Sequence, residues 1–200
     1  MAIDCEQAGR AAEKRFALPP GLLLAIGQTE SARWDPLLQR TVPWPWAVDF
    51  SGQGRLFDSR ADAERTVRDA LLRGQRNIDV GCFQISLLHH PLAFASLEQA
   101  FDAQANADYA AGFLTALHGR LGSWPAAVAA YHSAKPDYGE PYRQRVFARW
   151  SGTAPPNNAA GFTIIAGVRI STPLPAGTAP IGITLQSAAQ RLPRIITPGG

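Results

Sequence analysis

The sequence contains no run of about 18 consecutive apolar residues, so it offers no candidate for a membrane-spanning helix. Its start, MAIDCEQAGR, lacks a basic segment followed by an apolar one and does not read as a signal peptide. Two expectations follow: a cytoplasmic chain, or one whose export segment has been removed. Cysteine is scarce. Cys5 and Cys82 are too few and too far apart for a zinc site or a CxxC redox pair. They fit either one disulfide in an oxidising compartment or two buried thiols acting as small hydrophobes. Charge of one sign is also missing from most of the chain. The formal net charge is +3. Every acidic residue nevertheless lies before Ser151, where acids and bases balance, and the excess comes from Arg169, Arg191 and Arg194. A neutral domain lacks the clustered basic footprint of nucleic-acid binding. Three scattered arginines do not make a polybasic patch.

What is present suits one domain with a tail: 200 residues with ample aliphatic and aromatic content for a core. Spacing of Ala8, Ala11, Ala12 and Phe16 predicts a helix over Asp4 to Ala17. Pro19-Pro20 breaks it and opens a second helix that ends near Ser31. Trp46 to Phe50 and Arg55 to Phe57 read as a small β-hairpin around Ser51-Gly52-Gln53-Gly54. Ser59 caps a helix reaching Arg73, with Asp62 as a short-armed capping box and Gly74 as the stop. Further helices are predicted over Asn106 to Leu121, from Ser123 through Tyr131, and over Glu140 to Trp150. After Trp150 no helical period survives, and proline and glycine recur among Thr and Ala. Residues 151–200 therefore read as a linker and a largely disordered tail. Within it, Phe162 to Ile170 is a candidate strand, alone or on a partner's sheet edge. The expected class is mainly α (α+β): a helical domain over residues 1–150 with a small hairpin, then the tail.

Several residues in this frame can carry chemistry. Leu22, Ile26 and Glu30 fall on one helical stripe, so a carboxylate ends the most apolar face in the chain. Such a residue either turns to water, as glutamate usually does, or is pressed against apolar neighbours that raise its pKa toward that of a general acid. In GCFQIS, Gly81 suggests a tight backbone approach at a pocket edge. Gln84 there can donate and accept as sugar amides and hydroxyls require, or can satisfy a local turn. Tyr131 closes an apolar helix with a hydroxyl that needs a partner, either a backbone carbonyl or a carboxyl such as Glu30. His132 follows it. Trp44, Trp46 and Phe50 crowd one segment, and about two of these three belong to core on the usual balance between packing and sugar stacking. His89-His90 lacks further ligands at metal-site spacing and reads as a turn before Pro91.

An ES pair ending an apolar helix (Glu30-Ser31), a GxxQI loop (Gly81 to Ile85) and an AY helix end (Ala130-Tyr131), in this order and separation, resemble the family 1 lytic transglycosylases. Their SLT catalytic domain is similar to goose-type lysozyme. The resemblance covers about Cys5 to Trp150. PWPW, NIDVGCFQ and the YHS to EPYRQRV segment are similar to the small branch associated with flagellar assembly or secretion machines. The resemblance implies a lysozyme-like fold and peptidoglycan as substrate. It further implies cleavage between N-acetylmuramic acid and N-acetylglucosamine with formation of a 1,6-anhydro sugar. Carried over by position, Glu30 is the catalytic acid and Ser31 its supporting serine. Tyr131 is the tyrosine that holds the acid. Gly81, Phe83, Gln84 and His132 belong to the substrate groove. Cys82-Phe83 stands where the family has Leu-Met, and His132 where it has Asn. The resemblance also implies a Cys5–Cys82 disulfide and a periplasmic setting.

No metal or organic cofactor is implied, and a monomer is expected. Only one carboxyl stands out from the sequence, because Asp49, Asp58 and Asp79 fall in polar or turn contexts. One is enough if the muramic C6 hydroxyl is the nucleophile. Two other readings carry different consequences: a hydrolytic muramidase, or a non-catalytic peptidoglycan-binding module. Residues 151–200 are a candidate docking segment for flagellar rod or secretion-system proteins.

Overall fold

The computed structural model describes residues 4–153, together with the backbone of two short strands at 162–165 and 168–171. Helix α1 (Cys5–Arg15) begins at Asp4, whose carboxylate accepts from the Gln7 amide. It buries Cys5, Ala8, Ala12 and, unexpectedly, Glu13. Helix α2 (Leu22–Glu30) explains that glutamate. Its N-cap, Gly21, offers no side chain. Glu13 instead accepts the orphan amides of Gly21, Leu23 and Leu24 at 2.9, 2.8 and 3.2 Å. A carboxylate from one helix thus caps the next, where the positive end of the helix dipole favours it. Leu22, Leu23, Ala25, Ile26 and Gly27 of α2 are buried, and the helix packs against α1 and against a C-terminal helix, α7 (Pro136–Trp150).

A hairpin of β1 (Ala32–Asp35) and β2 (Arg40–Pro43) follows α2. The sequence reading did not anticipate it. Next come β3 (Ala47–Phe50) and β4 (Gly54–Leu56), the expected small hairpin. They extend into a four-stranded antiparallel sheet with β5 (Ile78–Val80) and β6 (Ile85–Ser86), ordered β4-β3-β5-β6. Helix α3 (Arg60–Leu72) starts at the Ser59 cap, whose hydroxyl takes the Asp62 amide at 3.1 Å. A one-turn helix α4 (Leu97–Ala100) precedes the long α5 (Ala103–Leu121), which Gly122 ends at φ 74°. Helix α6 (Trp124–His132) is capped by Ser123. The last helix begins at Pro136 rather than Glu140, because Pro141 is accommodated inside it near the N-terminal end.

Two apolar cores result. The larger joins the helices through residues such as Leu22, Ile26, Phe83, Leu114 and Val146. The smaller lies between the sheet and α3–α4, with Val48, Val67, Ile78 and Phe101. Asn106, fully buried on α5, connects them: its amide oxygen accepts from the Phe83 amide at 2.9 Å, and its nitrogen donates to the carbonyls of Val80 and Ala100, each at 3.1 Å. Cys5 and Cys82 are disulfide-bonded with Cα atoms 5.7 Å apart, tying α1 to the loop between β5 and β6. The protein is mainly helical with a small antiparallel sheet, as expected. No helix among the described residues is long and apolar enough to cross a membrane. In the tail, Phe162–Ile165 and Val168–Ser171 form an antiparallel hairpin, β7–β8, so the candidate strand pairs with itself. Residues 154–161, 166–167 and 172–200 of the tail lie outside the described residues.

Candidate active site

Glu30 is the last residue of α2, and its position follows from the helix it ends. The apolar stripe of α2 is buried on both sides, which carries the carboxyl to the bottom of a groove between the helices and the sheet. This groove encloses about 770 Å³, and its wall includes Asp49 and Asp79 from the sheet, Gln84, and Tyr131 with His132 from α6. A second depression of about 330 Å³ shares Glu30, Asp49 and Gln84 and continues past Thr29, Arg55 and Arg149. Space therefore extends to either side of the carboxyl, at a size suited to small ligands.

Glu30 is half-buried overall, yet its carboxyl is enclosed, and this desolvation pushes its pKa from 4.5 to about 7. The Tyr142 hydroxyl opposes the rise, Asp79 adds to it, Arg145 opposes it, and Asp49 adds to it. Tyr142 is fully buried on α7, and its hydroxyl closes no hydrogen bond of full geometry. Glu30 is the carboxylate it bears on. His132 stacks on the Tyr142 ring at 4.7 Å and 9°. Burial, then the Arg145 charge, lowers the pKa of His132.

Ser31 and Tyr131 both act on the loop rather than on the acid. Ser31 is buried; its hydroxyl donates to the Cys82 carbonyl at 2.7 Å and accepts from the Trp44 amide at 3.1 Å. The Tyr131 hydroxyl donates to the Phe83 carbonyl at 2.8 Å. The expected bond from Tyr131 to Glu30 is thus not the one formed, although both side chains line the same groove. Burial raises the Tyr131 pKa well above 10, and the Glu30 charge adds to this. A phenol held that far from ionisation remains a donor.

The loop itself departs from expectation in two places. Phe83 does not line the groove: it is fully buried, and its ring fills the notch left by Gly9 and Gly27, where an added Cβ would press on it. Small residues on two helices open a hole that a large apolar side chain fills. Gly81, at φ +84°, is glycine because a Cβ would strike the Asn106 amide. Its close approach is to a core asparagine. Gln84 faces the groove with a left-handed φ of 48°, an uncommon conformation for a residue with a side chain. Its amide nitrogen donates to the carbonyls of Gly81 (2.9 Å) and Ala47 (3.2 Å).

Around the groove, Trp44 meets Trp46 edge-on at 5.3 Å and donates from its indole to the Phe57 carbonyl at 2.7 Å. Phe50 is core. His90 shares a contact with the Tyr109 hydroxyl at 2.9 Å, and His89 with the Ser86 hydroxyl at 3.1 Å. Asp58 pairs with Arg33. The sequence reading passed over Tyr142, which is buried and bears on Glu30, and set aside Asp49 and Asp79, which line the groove.

A proton donor near neutrality, a neighbouring phenol and a groove with polar side chains in its wall can do acid chemistry on a polar ligand. The family model described as the transglycosylase SLT domain matches residues 7–145, which is more than half of the chain. No curated protein and no solved structure matches it.

Proposed function

This chain belongs to the transglycosylase SLT family, and on that premise we propose that it cuts the β-1,4 bond between N-acetylmuramic acid and N-acetylglucosamine, leaving a 1,6-anhydro-muramoyl end. Family membership makes the chain an enzyme, a glycan lyase acting on cell-wall peptidoglycan. The bond, the product and the residue roles are the proposal.

One observation carries it: Glu30 ends a buried apolar helix at the floor of the groove with a pKa near 7. A carboxyl that keeps its proton near neutrality can give it to the bridging glycosidic oxygen. As that oxygen leaves, the C1–O bond breaks and C1 becomes electron-poor. The muramic C6 hydroxyl then adds to C1, an intramolecular step with the reacting atoms already held together. The Glu30 carboxylate takes the C6 hydroxyl proton, which restores the acid, and no water is consumed. Tyr142 bears on Glu30 directly. Ser31 and Tyr131 hold the carbonyls of Cys82 and Phe83, and so set where Gln84 stands. Gln84 and His132 face the groove where sugar substituents would lie.

Mass spectrometry of digested wall sacculi tests this reading. Anhydro-muramoyl ends are expected; reducing ends with uptake of water would refute it. A hydrolytic reading is favoured by one observation, the presence of Asp49 and Asp79 in the same groove, and the same digest separates the two. Complete loss of release in wild-type protein that still binds sacculi would instead point to a non-catalytic binding module.

A periplasmic setting is part of the proposal, supported by the wall substrate and by the Cys5–Cys82 disulfide. So is local opening of the wall for a flagellar or secretion assembly, with residues 151–200 as the docking segment. Deleting residues 151–200 should spare glycan cleavage and abolish capture of rod or secretion components. Unchanged capture would rule the docking role out.

A further inference from the structure

Besides Glu30 the groove wall carries two more carboxylates, held in a costly arrangement. Asp49 on β3 and Asp79 on β5 are direct partners in the antiparallel register. Their side chains therefore stand on the same face, and like charges placed directly opposite destabilise a sheet. Their neighbours on the other face, Val48, Ile78 and Val80, are core. The aspartates look into the groove that Glu30 lines.

The two are not equivalent. Asp49 is engaged locally, since its Oδ1 accepts from the Gly52 amide at 2.5 Å and shapes the β3–β4 turn. Asp79 has an oxygen, Oδ1, that is buried with no hydrogen-bond partner. Buried carboxylate oxygens are normally satisfied, and leaving one unpaired costs stability. The fold gains nothing visible from that oxygen. A groove ligand can supply what it lacks.

We propose that Asp79 is the second carboxylate of the reaction, standing across the groove from Glu30 to stabilise the positive charge that develops on the muramoyl ring as the glycosidic bond breaks. This rests on the reading under Proposed function and deepens it. The balance of that step is unchanged. Glu30 gives its proton to the leaving oxygen, the C1–O bond breaks, and the electron deficiency is shared between C1 and the ring oxygen. Asp79 forms no bond and moves no proton. It supplies a fixed negative charge where positive charge appears, in a partly desolvated site where such a charge acts strongly. The C6 hydroxyl then closes the ring and returns its proton to Glu30.

Asp79 also acts on Glu30 before the reaction, since its charge raises the Glu30 pKa. Groups facing Asp79 are Glu30 from α2, Asp49 from β3, Ser86 from β6, His89 just beyond it and Tyr131 from α6. Burial raises the Asp79 pKa, the Ser86 hydroxyl lowers it, Asp49 raises it and His89 lowers it. The two carboxyls are thus coupled, and the charge on Asp79 favours the protonated Glu30 that a general acid requires.

The test compares full-length wild type with Asp79→Asn and Asp49→Asn on wall sacculi, following anhydro-muramoyl release against pH. Asp79→Asn should lower kcat by at least about 100-fold with KM changed little. Its remaining activity should lose its alkaline limb at lower pH than wild type, because Glu30 has lost a negative neighbour. Asp49→Asn should shift the limb in the same direction with a smaller loss of kcat. Melting curves show whether each variant folds; if the asparagine variant does not, Asp79→Ser carries the same comparison. A wild-type kcat and an unmoved limb in Asp79→Asn would overturn the role. So would wild-type formation of reducing ends that Asp79→Asn abolishes, because Asp79 would then be a base for water. Wild type that releases no sugar product at all would instead remove the function on which the role rests.

Discussion

Replacing Glu30 by glutamine should make the folded protein more stable at alkaline pH while removing its activity. Glu30 titrates at about 7 when folded and at 4.5 when free. The folded state thus holds this proton more tightly than the unfolded chain does. The resulting stabilisation is whole below pH 4.5, declines between 4.5 and 7, and is gone above 7. A displacement of that size corresponds to about 3 kcal/mol. Glutamine keeps nearly the same shape and does not titrate. The stability of Glu30→Gln relative to wild type should therefore rise by about 3 kcal/mol between pH 4 and pH 9. For a domain of this size that is roughly 6–12 °C in melting temperature. Paired thermal melts by circular dichroism at half-unit pH steps give the difference directly, and titrations common to both proteins largely cancel. Glycan release should fall below detection in the variant. A stability difference that does not change with pH would refute the reasoning: Glu30 would then be an ordinary solvated carboxylate, and the argument for it as the acid would fail with it.

Tyr142→Phe removes the hydroxyl that lowers the Glu30 pKa, so the alkaline limb of the pH–rate profile should move to higher pH with little loss of stability; an unmoved limb would separate Tyr142 from the acid. Ser31→Ala deletes the buried tie between Cys82 and Trp44 and should cost about 1–3 kcal/mol in urea unfolding, with a loss below about 0.5 kcal/mol contradicting a structural role. Reducing the Cys5–Cys82 bond releases a closure spanning 77 residues and should cost about 4.5 kcal/mol on loop-entropy grounds, read as a lower urea midpoint in reductant.

Glu30 is legible in the sequence because one helix carries both the apolar stripe and the carboxyl that ends it. Local chemistry also reveals the caps at Ser59 and Ser123, and the stop at Gly122. What escapes is set by tertiary pairing. Tyr142 follows Pro141, which reads as a barrier to a helix already under way from Pro136; nothing local says that this tyrosine turns inward toward Glu30. Asp49 and Asp79 look unremarkable alone and become a pair only when β3 and β5 are set in register across α3. Phe83 sits among groove residues in the one-dimensional pattern, and its burial depends on glycines at positions 9 and 27 on other helices. The β1–β2 hairpin escapes because a turn through Pro36 to Gln39 interrupts its short alternation.

The loop between β5 and β6 is gripped by its main chain: Ser31 takes the carbonyl at 82, Tyr131 the carbonyl at 83, and Asn106 the amide at 83. Peptide groups are the same whatever side chain they bear. The path of the loop can thus be inherited while its letters drift, provided the hole behind it is refilled. Cys-Phe at 82 and 83 is held in this way, and the shape of the groove is left in the keeping of residues far from it in the chain.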